Sequence, residues 1–141
     1  MAYIQLKDIR IAGIATAVPK QTINNKDLIA EFGEKRINRF IRTTGVLERR
    51  VASEYQTASD LGVAATEELF KKKGIDKKTI GALVFASHGP DYKRPATAHV
   101  IQKRLELSEQ CACFDISLGC SAFVYGIQIL GGLMQTSDIE K

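Results

Sequence analysis

The residue pattern predicts an α/β fold in which helices pack in layers on a mixed, mostly parallel sheet. Short apolar runs of strand length alternate along the chain with longer segments of helical spacing, the order expected of a layered sheet. One of them, Ala82-Leu83-Val84-Phe85-Ala86, is apolar at every position, as in a strand covered on both faces. From Ala112 to Met134 a strand, a tight turn and a helix then follow without a break, and no charged residue lies between Asp115 and Asp138. With no internal repeat and no low-complexity linker, residues 1–141 read as a single domain.

In chain order, residues 4–18 are expected to form a strand, with Ile9, Ile11, Ile14 and Val18 on an apolar ribbon. Gly13 allows close backbone approach there, and Pro19 ends the strand. Asn24 or Asn25 can cap a short helix from Lys26 to Phe32, which Gly33 stops. A basic helix from Glu34 to Arg42 turns Ile37, Phe40 and Ile41 inward and Lys35, Arg36 and Arg39 outward. Thr44-Gly45-Val46 leads into an extended piece ending at Val51. Thr57-Ala58-Ser59-Asp60 has the form of a capping box opening a strong helix. Its inner stripe is read as Leu61, Ala65 and Leu69, its pair Glu68 and Lys72 has favourable i,i+4 spacing, and Gly74 terminates it. Lys71-Lys72-Lys73 complements the helix dipole at that end. The strand 82–86 runs into the loop Ser87-His88-Gly89-Pro90, and a helix covers Ala96 to Leu105.

In the last segment Ala112, Phe114 and Ile116 alternate like a strand and Ser117-Leu118-Gly119 turns the chain. Phe123, Ile127, Leu130 and Met134 then recur at helical spacing, flanked by Val124, Ile129 and Leu133. The helix is apolar nearly all round and is expected to be buried. A run of this length could span a bilayer, which takes about 20 apolar residues. Gly119, Gly126, Gly131, Gly132, Ser117, Ser121 and Gln128 interrupt it, however, and a strand precedes the turn, so a central helix of a water-soluble fold is expected.

Cys120 falls at the turn, on the first residue or two of that helix. There the positive end of the helix dipole and unpaired backbone N–H groups favour thiolate over thiol, and the same amides could hold the oxygen of a tetrahedral intermediate. The plain alternative is a small core residue. In open α/β sheets the functional edge lies beyond the strand C-termini, and both the loop 87–94 and the Cys120 turn fall on it. His88 could approach Cys120 from that loop, though a plain loop role is simpler; His99, mid-helix, reads as a packing or surface residue.

Composition bounds the rest. A chain of 141 residues with 45% hydrophobic and 26% charged residues can bury a real core. Residues 1–8 carry charge where a signal peptide needs an apolar stretch, and three cysteines are an odd number, so reduced thiols in the cytoplasm are expected. Cys111 and Cys113 should face one side of a strand, and no His or further Cys lies at zinc-ligand spacing, so no metal site is expected. Twenty Lys and Arg against sixteen Asp and Glu give a mild +4, without a basic block interleaved with aromatics, so no nucleic-acid partner is expected.

The ordered set of motifs resembles the N-terminal half of a β-ketoacyl-acyl carrier protein synthase III, a thiolase-fold condensing enzyme. The markers are Ile11-Ala12-Gly13-Ile14 leading to Val18-Pro19, Thr44-Gly45-Val46 with Glu48-Arg49-Arg50, the helix from Ala58 to Gly74, Ile75-Asp76, and Pro95-Ala96. The most specific is Phe114-Asp115-Ile116-Ser117-Leu118-Gly119-Cys120-Ser121-Ala122-Phe123. The resemblance implies that Cys120 takes the acyl group of an acyl-CoA substrate, with no permanently bound cofactor. Malonyl-acyl carrier protein would then lose carbon dioxide and attack that acyl group, in a cytoplasmic homodimer. It also implies a CoA contact at Arg39, where many members carry a Trp, with Thr43 standing where they have an Arg. Tyr92 and Arg94 are implied to line the acyl tunnel, Arg94 replacing a frequent aromatic. The family's assisting His and Asn come from the C-terminal half, which this chain lacks, so full condensation by it alone is not expected. A non-catalytic assembly module and a redox-sensing thiol protein are the alternatives from other classes.

Overall fold

The computed structural model describes residues 5–141; the strand expected over 4–18 begins, and the absence of a leader is partly read, on residues outside that range. The described chain falls into two compact units, one made of the residues up to Thr16 with Ala58–Lys141, the other of Ala17–Thr57.

The smaller unit is a two-stranded antiparallel ribbon closed by helix. Strand β1 (Gln21–Asn24) pairs with β2 (Glu48–Val51) from Gln21 opposite Val51 to Asn24 opposite Glu48. The Asn24 side chain accepts from the Lys26 amide at 2.9 Å and caps a 3-10 turn, Asn25–Leu28, that passes into α1 (Ile29–Phe32). Gly33, at φ +84, separates α1 from α2 (Glu34–Thr44), and Gly45, at φ +72, ends α2 in the left-handed conformation that glycine adopts without strain. Asn25 is buried and paired through both polar atoms: its Nδ2 donates to the Val46 carbonyl at 2.9 Å and its Oδ1 accepts from Arg49. Of the three residues expected to face inward from α2, Ile37 is buried, Ile41 half-buried and Phe40 exposed, because this thin unit can cover only one line of that helix.

In the larger unit, β3 (Ala82–Ala86) and β4 (Ala112–Ile116) are parallel and in register, Ala82 opposite Ala112 and Ala86 opposite Ile116. The crossover between them carries α4 (Thr97–Leu105); α3 (Ala58–Lys73) precedes β3 and α5 (Ala122–Thr136) follows β4. This is the α/β architecture and the parallel pairing that the alternating pattern implies. The core lies where α3 and α4 meet the sheet: Val63, Phe70, Ile101, Leu105, Leu107 and Cys111. Leu83, Phe85 and Cys113 pack against it, all on one face as the two-residue period requires. At the end of α3, Gly74 takes φ +62 and the Ile75 amide donates to the Phe70 carbonyl at 3.0 Å, a Schellman closure that folds Ile75 onto the core.

Three expectations are corrected. Residues 5–18 form no strand among the described residues; the first ladder is β1, beyond Pro19. Ile11, Ile14 and Val18 are exposed, and their spacing of three and four never held the alternation that a ladder needs. Gly13 does make a close approach: a Cβ there would come within 2.8 Å of Leu69 Cδ1. The inner stripe of α3 is Ser59, Val63 and Phe70 rather than Leu61, Ala65 and Leu69, which are half-buried, because Phe70 is the largest apolar group on the helix and sets its rotation. Finally, α5 is not buried nearly all round: Ala122, Gly126 and Gly131 are its buried residues, whereas Phe123, Val124 and Tyr125 are 66%, 57% and 50% exposed. Composition fixes how apolar a helix is; whether its side chains are covered depends on what packs against them, and over the first turn of α5 little does.

Candidate functional site

Because β3 and β4 run parallel and in register, the segments after both strands leave from one edge. The Ser87 amide donates to the Ile116 carbonyl at 3.1 Å, carrying the pairing one residue further before the chains diverge. The loop 87–96 and the turn 117–121 are therefore neighbours at the C-terminal edge of the pair.

The turn is built by short backbone bonds. The Leu118 amide donates to the Ile116 carbonyl at 3.1 Å, the Ala122 amide to the Gly119 carbonyl at 3.0 Å, and the Tyr125 amide to the Ser121 carbonyl at 3.1 Å. Cys120 is thus held in the turn just before Ser121, the N-cap of α5, rather than on the first helical residues. Its thiol is free and exposed. Among the described residues no side chain caps this end of α5, and no acidic residue lies in its first turn, so nothing in that turn offsets the positive end of a fifteen-residue helix beside Cys120.

Two carboxylates not singled out from the sequence pin the surroundings. Asp115, within β4, accepts from the Thr97 amide at 2.7 Å and the Ala98 amide at 2.8 Å, closing the N-terminus of α4. Asp91, in the loop after β3, accepts from the Ser59 amide at 3.2 Å at the start of α3. Beside it Arg104 of α4 meets Asp60 at 2.8 Å and the Ser59 hydroxyl at 3.1 Å. The loop is thus tied to the start of α3 at its middle, through Asp91, and passes at its end into the α4 N-terminus that Asp115 holds. The signal for Asp115 was its solitary charge in an apolar alternation; Asp91 carried none.

The other expected residues fall as follows. Tyr92 and Arg94 are exposed in the loop 87–96, on the Cys120 edge. His88 is exposed in the same loop, next to Ser87, whose hydroxyl accepts from the Gly89 amide at 3.2 Å; His99 is exposed on α4. Arg39 and Thr43 lie on α2 in the other unit, where Arg39 with Lys35, Asn38 and Arg42 lines an open hollow of about 540 Å³. Among the described residues none of these three cations takes part in an ion pair, and no group of three or more His, Cys, Asp or Glu could hold a metal ion.

Cys111 and Cys113 face one side of β4, their sulfurs 3.7 Å apart, the Cys113 thiol donating to Cys111. Burial raises both thiols; Cys113 is pushed up to about 12, burial acting first and the Cys111 sulfur adding to it. The folded chain therefore keeps a proton that the unfolded chain gives up from its ordinary value of 9.0. Stability is expected to fall as pH rises between about 9 and about 12, and Cys113→Ala to flatten that fall; urea midpoints of the two proteins across the window check it.

No protein-family model matches the chain. It is 37% identical over 136 residues to a β-ketoacyl-[acyl-carrier-protein] synthase III of Clostridium beijerinckii, covering 96% of this chain and 41% of that protein. To the protein of that name from Latilactobacillus sakei it is 38% identical over 130 residues, covering 92% and 39%. The crystal structure of a 3-oxoacyl-(acyl-carrier protein) synthase from Burkholderia xenovorans matches with a TM-score of 0.88 at 35% identity, over 91% of this chain and 37% of that one. The resemblance read from the motifs thus holds across nearly the whole chain, which spans about two fifths of the length of the curated relatives it matches.

Proposed function

We propose that this chain is the cysteine-bearing, N-terminal part of a condensing acyltransferase of fatty-acid or polyketide-type synthesis, acting in the cytoplasm as a homodimer. The Cys120 thiolate attacks the carbonyl carbon of an acyl-CoA thioester. The C–S bond to Cys120 forms, the tetrahedral oxyanion collapses, and the CoA sulfur leaves, taking a proton as free thiol. In the longer protein, decarboxylation of malonyl-acyl carrier protein supplies the carbanion that takes the acyl group from Cys120. Tyr92 and Arg94, on the same edge, line the path of the acyl chain, and Arg39 contacts CoA.

The observation that carries this reading is the position of one sulfur: exposed, at the C-terminal edge of a parallel strand pair, immediately before an uncapped helix N-terminus. A cysteine kept for packing would be covered, and one kept for metal would have companions.

The test is the intact mass of the folded chain after incubation with acyl-CoA donors of several lengths. An added acyl group, absent from Cys120→Ser, is the expected result. A folded wild-type chain that stays unmodified, or a Cys120→Ser variant that is still acylated, overturns the assignment.

A further inference from the structure

Toward the opposite edge of the same strand pair lie two further sulfurs. Cys111 is buried just ahead of β4, yet it lines a cavity of about 330 Å³ at the edge where β3 and β4 begin. Lys78, Gly81 and Ser108 border that cavity from the sheet side, and Asp138 and Glu140 from the segment after α5. Cys113, half-buried, sets its sulfur 3.7 Å from that of Cys111.

That distance decides between two fates for the pair. A disulfide needs the sulfurs about 2.05 Å apart, so both would have to close by more than about 1.5 Å while attached to one extended strand. An atom bonded to both sulfurs at about 2.3 Å, with an angle near tetrahedral, holds them about 3.7 Å apart without moving either. Sulfur donors select soft acceptors. No third His, Cys, Asp or Glu joins the pair among the described residues, so an acceptor needing three or four protein donors is not served. One that needs two is.

We propose that Cys111 and Cys113 form a two-sulfur site for trivalent arsenic carrying one organic group, approached from the Cys111 side, where the cavity lies, and separate from Cys120. An aryl-arsenic oxide has two exchangeable valences. Two As–S bonds form, the bonds from arsenic to oxygen break, and the two S–H protons leave with that oxygen as water. Arsenic stays trivalent, so no oxidant or reductant takes part. Both thiols are protonated at neutral pH, and the departing oxygen carries their protons away.

The experiment treats the folded chain with phenylarsine oxide in excess 2-mercaptoethanol, which strips arsenic held by one sulfur. Intact mass and a count of free thiols are then read. The expected result is one phenyl-arsenic group per chain, free thiols falling from three to one, and reversal by dithiothreitol. Cys120→Ser keeps the adduct; Cys111→Ala and Cys113→Ala each lose it, with circular dichroism verifying the fold. Should Cys111→Ala fail to fold, the half-buried Cys113 position decides alone, through Cys113→Ala and Cys113→Ser. An adduct that survives loss of Cys113, or a wild type that takes arsenic only once unfolded in urea, overturns the site.

Discussion

Leu105→Ala is expected to lower the free energy of unfolding by about 2–5 kcal/mol, read as a shift of the urea midpoint with little change in slope. Leu105 is 0% exposed, the largest fully buried side chain, and it shares the core with Val63, Phe70, Ile101, Leu107 and Cys111. Truncation removes its transfer free energy and leaves a hole that helices locked to a sheet cannot close. A small domain has about 5–15 kcal/mol in total, so this one change takes a large fraction of it. Val124→Ala is the matched control: its side chain is 57% exposed, and the expected change is within about 0.5 kcal/mol. Equal losses at the two positions would mean that the core is not where α3 and α4 meet the strands.

The second large effect is Asp115→Ala, with an expected loss of about 3 kcal/mol. Each carboxylate oxygen accepts one backbone N–H, from Thr97 at 2.7 Å and Ala98 at 2.8 Å. Both donors belong to fully buried residues, so water cannot replace the lost acceptors, and each orphaned amide costs about 1–3 kcal/mol. Asp115→Asn keeps one oxygen and turns an amide N–H toward the other donor, so its loss should fall between wild type and alanine. Urea unfolding of the three proteins checks that order. An alanine variant as stable as wild type would remove Asp115 from the account of α4.

What the sequence disclosed follows the range over which each signal acts. The strand 82–86, the termination at Gly74 and the turn before α5 rest on neighbouring residues, and all three are where spacing places them. That Cys120 sits at the turn was legible for the same reason, since a small-residue turn opening an apolar helix is a local pattern, although it falls just before the helix rather than on its first residues. Residues 5–18 were misread because a strand exists only with a partner, and apolar content supplies none. The exposure of Phe123 and Val124 was hidden because burial depends on what arrives to cover a helix. Asp115 stood out as a lone charge but its partners could not be read, and Asp91 gave no signal, because those partners lie 17 or more residues away in the chain. The chemistry proposed for Cys120 rests on both kinds of reading: placement from the local pattern, and role from likeness to longer proteins.

The two carboxylate caps bind the folding of the parts together. Asp91 reaches the first turn of α3 from the loop after β3, and Asp115 closes the first turn of α4 from β4 itself. If β4 breathes out of register, α4 loses its closure in the same event, and the loop that restrains α3 is slackened with it. Partial openings that would let one helix fray while the sheet stays intact are thereby disfavoured, so this unit should come apart as one cooperative block rather than piece by piece.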